Sequence, residues 1–183
     1  MSQAQMPKEH SPKGNEATAS STISAVGRVA KMAIVGVLKG TGDTAEAIVE
    51  VTRDVITTAL EGVADVTVAI EKSVAKVIHG AIHAVSDTGQ DVGTVVKSAM
   101  RGTIMAANEV GGDLGKTAVA ATEASIEAAA EIGTDTTTVL KHAVTGAIEA
   151  AGEISEDAAD TVRNALVASV DGAKDVIKAT IKK

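Results

Sequence analysis

Residues 102–113 read GTIMAANEVGGD, residues 124–135 read ASIEAAAEIGTD, and residues 146–157 read GAIEAAGEISED. Each block begins 22 residues after the one before, and that register decides the fold. It extends in both directions. An apolar column runs Leu38, Leu60, Ile82, Ile104, Ile126, Ile148 and Val170. Five residues later an acidic column runs Asp43, Asp65, Asp87, Glu109, Glu131, Glu153 and Asp175. About seven units therefore fill the chain from near residue 27 onward.

Within a unit the spacing is helical. From Leu140 the apolar positions continue through Val144, Ile148, Ala151, Ser155, Ala159, Val162, Leu166, Val170, Ala173, Ile177 and Ile181, in steps of four, four and three. That is an 11-residue period of roughly 3.67 residues per turn, close to the relaxed α-helix and far from strand alternation. Lys141, His142, Thr145, Glu149, Glu153, Arg163, Asn164 and Asp171 take the opposite side. The spacing predicts an all-α protein.

Glycines and aspartates punctuate the repeat. Gly89, Gly111 and Gly133 recur at one phase and precede Asp91, Asp113 and Asp135, with Asp157 continuing the series, and Gly42 ahead of Asp43 does the same job near the start. A glycine suits the left-handed residue past a helix end, and an aspartate two residues on suits the next N-cap. The expected fold is an array of antiparallel helices of ~18 residues, solenoid- or bundle-like, joined by short Gly/Thr/Asp turns. The alternative is one continuous 11-residue-repeat helix in a coiled coil, since the apolar phase runs straight through the glycines. Residues 1–22, which hold both prolines, read as a polar disordered tail, and residues 23–183 as a single repeat domain.

Composition narrows the function. The chain has 183 residues, no Cys, Trp, Tyr or Phe, and a net charge of −7. Without cysteine there is no disulfide, thiolate nucleophile or zinc–thiolate site. Without aromatics or a basic face, nucleic acid is not an expected partner. The start of the chain shows no apolar leader, and Ala25 to Leu38 is too short and too charged to cross a bilayer, so a cytoplasmic location is expected.

The sequence offers few chemical motifs. Gly40-Thr41-Gly42-Asp43-Thr44-Ala45 fits a dinucleotide-binding spacing, and Gly111 to Thr117 resembles the end of a phosphate loop. Both need a preceding strand, where the register places helix. His79, His83 and Asp87 lie at successive four-residue steps and form a weak candidate metal site on one helical face. Glu123, Glu127, Glu131 and Asp135 form a carboxylate run that reads as a solvated face. No nucleophile–base constellation stands out, so neither enzyme activity nor a cofactor is expected.

Stretches such as Val74 to Ile82 and Val139 to Ile154 resemble the 11- and 22-residue amphipathic repeats of exchangeable apolipoproteins, perilipins and synucleins. That resemblance implies reversible coating of lipid droplets, lipoproteins or vesicles. The repeats here are acidic on balance and lack aromatic anchors at the membrane interface. Two readings follow. The first is a non-enzymatic helical-repeat protein with a structural, scaffolding or self-assembly role, whose small-residue seam packs on itself or on a second copy. The alternative is an amphipathic coat on lipid or on a storage-granule surface.

Overall fold

The computed structural model describes residues 14–40 and 42–181. Among them are eight helices and no strand: α1 (Gly14–Leu38), α2 (Thr44–Leu60), α3 (Val66–Thr88), α4 (Val92–Glu109), α5 (Leu114–Glu131), α6 (Thr136–Ile154), α7 (Glu156–Ser169) and α8 (Ala173–Ile181). The units are separate helices and not one rod. Residues 14–22, expected in the polar tail, belong to α1. The last proline is Pro12, so nothing in that stretch obstructs a helix. Residues 1–13 lie outside the described residues.

The breaks follow from capping chemistry. Asp43, Asp65, Asp91, Asp113 and Asp135 are N-caps whose carboxylates accept first-turn backbone N–H groups. Gly89, Gly111 and Gly133 adopt left-handed φ values of 68°, 70° and 72°. Gly42 lies in the loop just ahead of Asp43. The expectation for Asp157 is corrected: Ser155 caps α7, accepting the Ala158 N–H, and Asp157 sits in the first turn. Ser155 also ends α6, so a single residue in extended conformation makes that turn. Asp65 also marks a full break, with Gly62 left-handed at φ 74°. A last break at Val170 to Gly172 divides the C-terminal stretch into α7 and α8, giving one helix more than the seven units.

Short turns make consecutive helices antiparallel, but from α1 to α6 the most extensive packing skips one helix, while α7 packs on both α5 and α6. α1 lies on α3, α3 on α5 and α5 on α7, while α2 lies on α4, α4 on α6 and α6 on α8. The array has two layers, odd helices in one and even helices in the other, with parallel neighbours inside each layer. Between the layers lies a core of Ile, Val and Ala, with Ile34, Ile48, Ile56, Ile70, Ile78, Ile82 and Ile104 fully enclosed. Of the expected seam, Leu38, Leu60, Ile82, Ile104 and Val170 are buried. Ile126 and Ile148 are half-buried against the same core.

In-layer spacing depends on a second column at the same 22-residue step: Gly36, Thr58, Gly80, Gly102, Ala124 and Gly146. A Cβ on Gly102 would stand 2.5 Å from the Val49 carbonyl oxygen, and one on Gly146 would stand 2.9 Å from that of Lys97. A Cβ on Gly80 would run into the Gly27 carbonyl oxygen, with the Lys31 nitrogen 3.0 Å away. Each glycine belongs to a helix that lies against the backbone of the helix two before it. Gly36 and Thr58 sit on the first helix of each layer, which has no such predecessor among the described residues. Gly36 accordingly meets nothing within 4 Å.

The same substitution should therefore have opposite outcomes along this column. Gly80→Ala gains helix propensity, worth about 1 kcal/mol at most, but forces α1 off α3. A net destabilisation of about 1–3 kcal/mol is expected from such overpacking. Gly36→Ala should be neutral or mildly stabilising. Urea unfolding followed by circular dichroism measures both, and equal effects would contradict the packing described.

Candidate functional site

Polar chemistry gathers on the in-layer seams, where one ion-pair pattern recurs. A cation on one helix meets an acid on the helix two later. Lys31 reaches Asp87 at 2.8 Å, Arg53 approaches Glu109 at 3.9 Å, Lys97 reaches Glu149 at 2.6 Å and Arg101 reaches Glu153 at 2.8 Å. Arg101 also faces Glu46 at 3.4 Å, linking α4 to both of its layer neighbours. Three of the four acids, Asp87, Glu109 and Glu153, belong to the acidic column read from the sequence. Three of the four cations had a signal too, since Lys31, Arg53 and Lys97 share one position of the register. These pairs are solvent-accessible and screened, so they act chiefly by fixing which residues face each other.

The seam between α3 and α5 is built differently. Its register position for the cation is Ala75, and two histidines face the acid instead. His83 Nε2 and a Glu131 carboxylate oxygen lie in hydrogen-bond contact at 3.0 Å. His79 Nδ1 lies 3.6 Å from the same Glu131 oxygen, and its Nε2 lies 3.5 Å from Glu127. The two imidazoles stack with centroids 6.3 Å apart and planes inclined by 21°. The helical step of four residues places both rings on one side of α3, and the same step on α5 places Glu127 and Glu131 opposite them. Of the candidate metal ligands, His79 and His83 are together, but Asp87 is engaged by Lys31. Glu131 takes its place, 48 residues from His83 in sequence. That partner could not be read from one helical face, because it depends on which helices share a layer.

The remaining motifs resolve into local structure. Asp43, within the Gly40 to Ala45 stretch, caps α2, and a helix precedes it where a dinucleotide site needs a strand. Asp113, within the Gly111 to Thr117 stretch, accepts the Lys116 N–H at 2.9 Å, so a carboxylate already occupies that helix start. Of the carboxylate run, Glu123 is exposed, Glu127 and Glu131 meet histidines, and Asp135 caps α6. No described helix is long and apolar enough to cross a membrane.

Four carboxyls are held below their ordinary range. Asp87 is lowered first by its hydrogen bond from Lys31, and Asp91 first by the Thr94 backbone N–H. Glu131 is lowered first by His83, and Asp135 first by the Thr138 hydroxyl.

No protein-family model matches the chain, and no curated protein matches it. Among solved structures, the chain is similar to the de novo designed helical repeat protein DHR7. The identity is 19%, over 89% of this chain and 90% of that one, with a TM-score of 0.41.

The lowered carboxyls set the sign of the acid response. A carboxyl depressed in the folded state stabilises it above the unfolded pKa, and that stabilisation is lost as pH falls through the folded value. The melting temperature should fall as the pH drops below about 4, given ordinary carboxyl values near 4. Thermal melts monitored by circular dichroism across that range test this, and a melting temperature that rises below about pH 4 would contradict it.

Proposed function

We propose that the chain is a non-enzymatic helical-repeat scaffold that pairs with a second copy through the outer face of α1 and α2. The observation that carries this reading is an asymmetry between the two ends of the array. Repeat arrays need a polar outer face on their terminal units to remain separate. At one end, α7 provides a mainly polar face, with Glu156, Asp157, Asp160, Thr161, Asn164 and Ser169 exposed and Val167 a lone large apolar side chain among them. At the other end, Ala25, Val26, Val29, Val55 and Ala59 line an apolar groove between α1 and α2. Val29 is 54% exposed and Met32 is 74% exposed.

The occupant follows from the internal packing. Every other in-layer face of α1 to α6 is covered by another helix of this chain, so a like helix pair continues an interface that the molecule already uses repeatedly. Because the opposite end is mainly polar, head-to-tail stacking has little complementary surface. Two copies joined through the same face form a closed pair with two-fold symmetry and not a fibre. The amphipathic-coat alternative needs the Ala/Val/Ile stripe for lipid, whereas the buried seam residues already lie in the chain's own core.

Sedimentation equilibrium of the full chain should show a concentration-dependent dimer. Val29→Glu should weaken that dimer at least tenfold with helicity unchanged, because burying an unpaired carboxylate at an interface is costly. A monomer at all concentrations whose helicity rises on neutral lipid particles would support the coat instead.

A further inference from the structure

We propose that His79, His83 and Glu131 form a binding site for a divalent transition-metal cation of the zinc type, joining α3 to α5. The argument starts from geometry. One nitrogen from each imidazole and one carboxylate oxygen lie within 4.8 Å of one another. In a tetrahedral zinc site with bonds of about 2.0–2.1 Å, ligand atoms stand roughly 3.3 Å apart. The two nitrogen–oxygen separations here are 3.0 and 3.6 Å, on either side of that value. Three ligand atoms therefore already stand side by side, and the exposed side of the cluster leaves a fourth position to water.

The donor set selects the class of ion. Two imidazoles with one carboxylate suit zinc and its neighbours in the first transition row, whereas calcium and magnesium favour sites made wholly of oxygen. Glu127 completes the arrangement. It stands 3.5 Å from His79 Nε2, the nitrogen not directed at Glu131. A carboxylate there accepts the Nε2 proton and leaves the Nδ1 lone pair for the ion, as outer partners of metal-bound histidines do.

A comparison within the molecule gives the second line of support. The α1–α3, α2–α4 and α4–α6 seams each set a permanent lysine or arginine charge against an acid. Only at α3–α5, among these seams, is that position an alanine, with histidines answering the acid. A bound cation would supply the charge that the register omits there, and would link helices that are far apart in sequence.

The test titrates zinc chloride into the full chain, after dialysis against a chelator, by isothermal calorimetry. One saturable site per chain is expected, together with a rise in melting temperature that grows with zinc concentration. His83→Gln and Glu131→Gln should each lower the affinity at least tenfold and abolish the thermal shift. Both side chains are partly exposed, so helicity should be retained, and circular dichroism checks it. His142→Gln should leave binding unchanged. No saturable binding at millimolar zinc, or equal affinity in the parent and both site variants, would overturn the proposal, the latter by placing the ion among other surface acids.

Discussion

Parallel helices within each layer lie close enough that the carbonyl oxygens of one come within contact distance of the Cα atoms of the next. Only glycine tolerates that approach where Gly80, Gly102 and Gly146 cross Gly27, Val49 and Lys97. Everything else in the array adjusts to it. The helices of one layer meet backbone to backbone, and the Val, Ile and Ala side chains fill the space between the two layers. The low transfer energy of each small residue is offset by the number enclosed and by close packing, which gains dispersion contacts a looser core would lose.

The same approach brings the polar edges of neighbouring helices within reach of each other. A cation column and an acidic column, harmless as sequence patterns, become facing partners once helices two apart lie side by side. The ion pairs are exposed and individually weak, but their alternation rewards one register of the layer over another. At α3–α5 the rule is modified, and the product is a compact group of two imidazoles and two carboxylates. Surface charge in this molecule is thus organised by the backbone spacing and not the other way round.

Much of this was legible in advance. The 22-residue step gave separate α-helices, the apolar column gave core positions, and Gly89, Gly111 and Gly133 marked left-handed turns for a local reason that the sequence contains. Local reasoning was less complete where two signals compete. Ser155 displaced Asp157 as a cap because it stands first where the chain leaves α6. Gly62 with Asp65 makes a break outside the phase shared by Gly89, Gly111 and Gly133. The pairing of alternate helices was not legible, since a period of one helix does not say whether the next helix or the one after is the main neighbour. That gap explains why Glu131 was not recognised as the partner of His79 and His83. The glycine column at positions 80, 102 and 146 carried the missing information, because internal glycines at a fixed step in otherwise sound helices signal close backbone contact.

The central claim is that helices two apart lie side by side and parallel. Because the chain has no cysteine, paired labels can be introduced cleanly on exposed positions. Lys76→Cys on α3 and Glu123→Cys on α5, each carrying a nitroxide, report that spacing by double electron–electron resonance. In-layer packing at about 8–10 Å between axes, plus the reach of the labels, predicts one narrow distance near roughly 20 Å. A distance near 70 Å, as 47 residues of continuous helix at about 1.5 Å each would give, or a broad featureless distribution, would contradict the account.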